Sequence, residues 1–447
     1  MKRSTILIRN TAILAIFLFS GCGDRLDLEP LDFVSPEVAL GNDQGVKTAL
    51  IGAYDHLSGF WSWIGVLPEL YSASGDIVFT GSAPGPKEIL QKEISTQNGY
   101  VYGEWANCYR AINQCNAILE SIGNVDEDDQ AQIEAEARFI RAASYFELIN
   151  SFGRTWVDGD PDQNLGVPLV TASTKSLENL EAPRVTVSEV YEGIVNDLEF
   201  ARNNLPEING PRATTYAATA LLSRVYLQQE DYGAAETAAT DVIESGRFLL
   251  LEDYADVFNR SGNTKEDIFT IEVTAQDGFN SYIDFYAGVN AGGSGQIAIN
   301  DSHMERYDTS DQRAQLFYFD NLGVRRTGKW RDNESMDGNI NIIRLAEMYL
   351  TRAECRFRDN DLPGALEDIN EVRSRAGAPL FEEADLSLED ILNERYLELC
   401  FEGHLLRDIK RTKRNIGDIP FDDPRMVFPI PQREMDLNGM LVQNPGY

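Results

Sequence analysis

The sequence predicts a mainly α-helical fold, built from antiparallel helix pairs of tetratricopeptide style with long irregular loops and a few short strands. Three observations carry that expectation. Outside residues 251–340 the apolar residues recur with helical period, the mark of a stripe that faces a core. Two stretches open on capping-box patterns, Thr186-x-x-Glu189 and Ser387-x-x-Asp390, in which hydroxyl and carboxylate satisfy backbone donors at a helix start. Two further segments resemble each other: Asp231-Tyr232-Gly233-Ala234-Ala235 with Val242, and Asp361-Leu362-Pro363-Gly364-Ala365 with Val372. Each places a small residue where two antiparallel helices can approach closely.

The elements follow in order. After Thr186, residues Val187, Val190, Tyr191, Ile194, Val195, Leu198 and Ala201 form one apolar stripe, so a helix is expected there. Residues 212–229 and 232–245 read as a helix pair separated by a Gln-Glu-Asp turn, and 341–357 with 363–376 as another. Leu388, Ile391, Leu392, Tyr396 and Leu399 carry a helix onward from Ser387. The run from Ile268 to Val273 is β-branched and apolar and reads as a strand. Three stretches, about 60–104, 155–183 and 251–340, are rich in Gly, Pro and aromatic residues. They read as loops projecting from the scaffold, where binding residues usually gather.

The chain has 447 residues, enough to bury a large core, and sets 39 lysine plus arginine against 72 aspartate plus glutamate for a net charge of −33. Such a charge repels phosphate backbones and anionic lipid surfaces, which excludes a nucleic-acid binder. Lys2, Arg3 and Arg9 precede an apolar run from Ala12 to Phe19, followed by Ser20-Gly21-Cys22, the layout of a signal peptide. That run rises about 12 Å as a helix, against a hydrocarbon core about 30 Å thick, so it is too short to span. Ser20-Gly21-Cys22 resembles the bacterial lipobox. Residues 1–21 are therefore expected to be removed, and Cys22 to be the lipidated start of a single domain over 22–447. Cys108 and Cys115 are seven apart on a helix, roughly 10 Å, and cannot bridge. Cys355 and Cys400 read either as buried small hydrophobes or as a pair. No CxxC or His/Cys metal spacing occurs, and His56, His303 and His404 are scattered. No GxSxG, HExxH or P-loop stands in a supporting context, so nothing positive points to an enzyme.

A set of ordered blocks resembles the SusD/RagB family of outer-membrane lipoproteins of Bacteroidetes. They begin with Cys22, Leu26-Asp27 and Pro30, then Trp105, Tyr109, Ile112 and Asn116. Glu136-Ala137-Arg138-Phe139-Ile140-Arg141-Ala142 follows, with Tyr145-Phe146 and Phe152-Gly153. Next come Arg344-Leu345-Ala346-Glu347-Met348-Tyr349-Leu350 with Ala353-Glu354, and Asn370-x-x-Arg373-x-Arg375-Ala376-Gly377. The series closes on Glu394-Arg395 through Phe401-Glu402-Gly403, Phe428-Pro429-Ile430-Pro431 and Gln443-Asn444-Pro445-Gly446-Tyr447. Arg154-Thr155-Trp156 departs from the family, which has a proline near there. Asp24, Asp27 and Glu29 after Cys22 resemble the family's surface-export signal. The resemblance implies a single helical domain that lies as a lid on a SusC-like TonB-dependent transporter. It also implies anchorage to the outer membrane and capture of glycan fragments, with oligopeptides as cargo in the RagB branch. No catalysis and no cofactor are implied. Some members bind calcium, for which Asp76 and Asp301 would be the candidates, but no Asp/Asn/Gly loop pattern supports it. An exported (α/α)-type polysaccharide-degrading enzyme is the alternative from another class.

Sugars stack their C–H faces on aromatic rings and hydrogen-bond through their hydroxyls, so a site needs exposed Trp or Tyr beside polar side chains. Trp61 and Trp63 lie between Gly59 and Gly65, and their alternation puts both rings on one side if the segment is extended. Trp330 follows Arg325-Arg326-Thr327-Gly328-Lys329. These three are read as ligand platforms or as loop anchors. Tyr102, Tyr282 and Tyr286 are further candidates, as is Trp156, whereas Trp105 falls in a helical signature and is assigned to the core. Arg138, Arg141, Glu347, Glu354, Glu394, Arg395 and Glu402 are read as paired ions that fix helix register, not as catalytic groups.

Overall fold

The computed structural model describes residues 36–61, 63, 65–73, 75–175, 181–273, 280–331 and 338–447. The expected leader and Cys22 lie outside them. The helices are α1 Pro36–Ala39, α2 Asp43–Trp61, α3 Leu67–Ser72, α4 Pro84–Gln91, α5 Gly99–Glu120, α6 Glu127–Phe152, α7 Val187–Asn204, α8 Thr215–Gln228 and α9 Tyr232–Glu244. They continue with α10 Ser281–Tyr286, α11 Asp301–Met304, α12 Leu345–Arg358, α13 Leu362–Ala376, α14 Leu388–Leu399, α15 Leu405–Arg411 and α16 Gln432–Leu437. The short strands are β1 Ile77–Phe79, β2 Asp267–Ile271, β3 Ile297–Ile299, β4 Phe317–Phe319, β5 Arg325–Thr327 and β6 Ile340–Arg344. They pair antiparallel as β1 with β3, β2 with β6 and β4 with β5.

The long helices pack in succession: α2 on α5, α5 on α6, α6 on α7, α7 on α8, α8 on α9, α9 on α12, and α12 on α13 and α14. Both capping boxes form as the sequence indicates, at Thr186–Glu189 and Ser387–Asp390. The two similar segments also adopt the same local structure. Asp231 caps α9 by accepting from Ala234 N, and Asp361 caps α13 by accepting from Gly364 N, each at 3.1 Å. The residues before them, Glu230 and Asn360, both take positive φ, 59° and 65°. Ala235 and Ala365 are fully buried at the crossings with α8 and α12, where a larger side chain would hold the helices apart.

Buried ion pairs set the register of these helices. Asp197 on α7 accepts from Arg141 on α6 at 2.7 and 2.8 Å, and the same guanidinium reaches Asn116 on α5 at 2.8 Å. Glu347 on α12 accepts from Arg224 on α8 at 2.8 and 2.6 Å. Glu354 on α12 accepts from Arg411 on α15 twice at 2.6 Å. Glu398 receives Arg313, Arg344 and Arg375. Burial opposes its charge, but Arg375, Arg344 and Arg313 hold its carboxyl far below the ordinary range. An isolated charge could not be buried this way, and each of these is compensated.

The structure departs from the sequence reading in three places. The stretch 60–104 is not one loop: α3, β1, α4 and the start of α5 lie in it, with Pro84 at the first turn of α4 and Asn98 capping α5. Its Gly and Pro residues punctuate short elements. The expected helix 341–357 begins at Leu345, because Ile340, Ile342 and Ile343 belong to β6 and pair with β2. The helix expected from 212 begins at Thr215, where the Thr214 hydroxyl accepts from Ala217 N. Cys108, Cys115, Cys355 and Cys400 are all free and buried. No helix among the described residues is long and apolar enough to cross a membrane.

Candidate functional site

One face gathers aromatic rings and polar groups. β1, β3 and α10 frame it, with the β4–β5 hairpin alongside. Thr80 N donates to Gln296 O at 2.7 Å and its hydroxyl to Gly295 O at 3.0 Å, tying the end of β1 to the segment before β3. Asp284 accepts from the Ser294 hydroxyl and from Gln296 Nε2 at 3.3 Å. Thr80, Asp284, Ser294 and Gln296 therefore form a polar shelf. Gly295 holds φ at +63°, and a Cβ there would meet the Arg326 guanidinium at 2.9 Å, so the turn requires glycine.

Rings border the shelf on both sides. Half-buried Trp63 meets Tyr100 edge to face at 5.4 Å and Phe285 at 5.3 Å. Burial, and then the Asp284 carboxylate, raise the Tyr100 phenol above its ordinary pKa. On the other side, the Tyr318 hydroxyl accepts from Gly288 N at 3.1 Å. Phe319 is 64% exposed, with the Arg325 guanidinium over its ring at 4.9 Å. Asp320 closes the hairpin by accepting from Leu322 N and Val324 N, each at 2.9 Å, and from Arg326 at 2.9 Å. Burial works against that carboxylate, but the Val324 amide and Arg326 keep it below its ordinary range. Val289, Leu322, Asn290 and Ser294 are exposed around the rim. Flat apolar rings beside hydroxyl, amide and carboxylate groups suit a polyhydroxylated ligand.

The candidates from sequence divide sharply. Trp63 lies at this face. Trp61 ends α2, and its side chain falls outside the described residues. Trp330, Tyr282 and Tyr286 are not exposed platforms. Trp330 is 1% exposed and packs on Phe258 and Tyr282, with ring centroids 5.6 and 4.6 Å away. Tyr282 accepts from Gly65 N at 2.7 Å and Tyr286 donates to Gly65 O at 2.6 Å, so the two phenols clasp the backbone of one residue in the core. A Cβ on Gly65 would lie 2.2 Å from the Tyr282 ring, which is why glycine stands there. Tyr102 is half-buried under the Arg433 guanidinium, 5.4 Å from its ring. It comes two residues after Tyr100, about 200° around α5, and faces α16 instead. Trp105 is buried as expected, and half-buried Trp156 packs on Tyr191. The sequence reading missed Tyr100, Asp284, Gln296, Tyr318 and Phe319. A signal existed for the last two: Phe317-Tyr318-Phe319 before Asp320-Asn321-Leu322-Gly323 is a strand running into a turn.

Asp76 and Asp301 are engaged otherwise. Asp76 accepts from Arg306 at 3.0 Å and Tyr396 at 2.7 Å, and Asp301 pairs with Arg325. Among the described residues no group of three or more His, Cys, Asp and Glu could hold a metal ion.

Comparison with known proteins agrees with this architecture. A family model described as starch-binding and associating with the outer membrane matches residues 76–227, and the SusD family model matches 305–419. SusD-like protein P2 of Formosa agariphila is 27% identical, over 98% of this chain and 99% of its own. The starch-binding protein SusD of Bacteroides thetaiotaomicron is 22% identical, over 75% of this chain and 76% of its own. The crystal structure of a SusD superfamily protein of B. thetaiotaomicron superposes with a TM-score of 0.82 at 26% identity, over 92% of this chain and 100% of that one. That of a SusD-like carbohydrate-binding protein of Bacteroides vulgatus gives 0.73 at 26% identity, over 84% of each chain. With its ordered sequence blocks, stacked helix pairs and two matching family models, the chain belongs to the SusD/RagB family.

Proposed function

We propose that this chain is a cell-surface glycan-binding lipoprotein that captures oligosaccharide or polysaccharide fragments and passes them to a SusC-like TonB-dependent transporter of the outer membrane. The observation that carries the reading is the face where Trp63, Tyr100, Tyr318 and Phe319 border the shelf of Thr80, Asp284, Ser294 and Gln296. Stacking would supply affinity, and the shelf would select hydroxyl geometry. Residues 1–21 serve as the leader, Cys22 carries the lipid, and 22–447 form one domain. The protein performs no catalysis and needs no cofactor in this role. The family model described as starch-binding and associating with the outer membrane, and the SusD family model, support the assignment.

Affinity electrophoresis of the full-length chain in detergent against a polysaccharide and peptide panel tests it. Binding of one glycan class, weakened in Trp63→Ala/Phe319→Ala, is the expected result. Binding to peptides and to no glycan would replace glycan by oligopeptide as cargo. Release of reducing ends from a bound polysaccharide would overturn the non-enzymatic reading.

A further inference from the structure

A second cleft, of about 680 Å³, opens between the C-terminal half of α2 and strand β2. Its floor is apolar, formed by Tyr54, Phe269 and Ile271. Tyr54 presents only its ring, because its hydroxyl already donates to Glu136 at 2.9 Å and accepts from Ala213 N at 3.0 Å. Four ionisable side chains stand on the walls: Asp55, His56, Arg212 and Glu272. Among the described residues none of the four makes a side-chain hydrogen bond. Arg212 comes no closer than 3.8 Å to Glu136.

Elsewhere, guanidinium groups at helix contacts such as Arg141, Arg224 and Arg411 are paired with carboxylates. A slightly larger cleft, about 740 Å³, lies between the start of α2 and the end of α5. Its polar groups are largely taken: Asn113 accepts from Thr174 N, Gln114 donates to Ala49 O, and Glu120 binds Ser173 and Lys175. The β2 cleft instead offers two carboxylates as acceptors and an imidazole and a guanidinium as donors over an apolar floor. A ligand of net charge would meet like charge at the carboxylates or at the guanidinium. A neutral chain of hydroxyls satisfies both, and a cleft between about 300 and 1,000 Å³ accommodates a molecule of that size.

We infer that this cleft is a second binding site for a neutral oligosaccharide, separate from the Trp63–Phe319 face. The inference rests on the glycan-capture reading and extends it to two sites on one chain. Two modest sites on one long polymer hold it more tightly than either alone, through effective concentration.

The chain has three histidines, and His303 and His404 are buried, so the His56 ring signal reports the cleft by itself. The experiment uses full-length protein in detergent with ¹³C-labelled histidine. Neutral heptasaccharides of α-1,4-glucan, β-1,3-glucan and β-1,4-xylan are added to wild type and to Trp63→Ala/Phe319→Ala. The expected result is a saturable shift of the His56 signal in both proteins, abolished for Arg212→Lys/Asp55→Asn, which keeps size and polarity and should fold. Calorimetry should then give half the wild-type ligand uptake for that cleft variant. A glycan that binds wild type while His56 stays silent, with uptake unchanged in the cleft variant, overturns the second site alone. No binding of any heptasaccharide to wild type overturns the capture reading and this inference with it.

Discussion

Gly65→Ala should both destabilise the fold and weaken the aromatic face. The new Cβ would stand 2.2 Å from the Tyr282 ring and 2.7 Å from the Phe401 carbonyl. The carbonyl is backbone and cannot swing aside. Overpacking of this kind costs about 1–3 kcal/mol. Displacing the peptide also threatens the two hydrogen bonds from Tyr282 and Tyr286, each worth about 1 kcal/mol. The expected total is about 2–5 kcal/mol. For a chain of this length the unfolding entropy is ~0.9 kcal/mol/K, so the melting temperature should fall by about 2–5 °C. Trp63 sits two residues away, and its carbonyl accepts from Val66 N and Leu67 N at 2.9 and 3.0 Å to start α3. The same shift should therefore move the ring and lower glycan affinity. Gly52→Ala is the internal control. It lies within α2 with nothing within 4 Å of its Cβ position, and alanine there should stabilise by about 0.5–1 kcal/mol. Thermal and urea unfolding followed by circular dichroism would read both. A Gly65→Ala protein as stable as wild type would refute the tight clasp and the correction of Tyr282 and Tyr286 from ligand contacts to core.

Three other outcomes follow from particular groups. Glu69 is fully buried with one oxygen unpartnered, and burial, then Cys400, push its pKa up to about 8. The folded state then keeps a proton that the unfolded chain releases above pH 4.5, so stability falls as pH rises from about 4.5 to 8. At pH 7 this amounts to about 3 kcal/mol, and Glu69→Gln should flatten the pH dependence of urea unfolding across that window; an unchanged slope would count against it. Glu354→Gln removes one of the two carboxylates that Arg411 pairs with, leaving Asp408, and should cost about 1.5–3 kcal/mol, read from the urea midpoint. Trp330→Ala should cost about 3–5 kcal/mol and leave glycan affinity unchanged at temperatures where it is folded, whereas Phe319→Ala should do the reverse in paired melting and binding measurements.

What the sequence by itself determined about this protein is what local periodicity and short motifs encode. The capping boxes at Thr186 and Ser387, the repeated Asp-x-x-Gly/Ala caps at Asp231 and Asp361, the core role of Trp105 and the ion pairs of Glu347, Glu354 and Glu394 all follow from residue type and helical spacing. The ordered family blocks needed no contacts between distant residues to be read. Only the tertiary structure decided which aromatics face solvent. Trp330, Tyr282 and Tyr286 sit in a Gly-rich, loop-like stretch, yet they are buried because Gly65, more than 200 positions from Tyr282 and Tyr286, brings its peptide into reach of two phenols. Trp63 packs on Tyr100 and on Phe285 of α10 although the three are distant in sequence, and Phe319 stands against Arg325 because β4 pairs with β5. Side-chain exposure is a property of what lies on the far side of the ring, and for loops that partner is set by long-range packing, which no local pattern records.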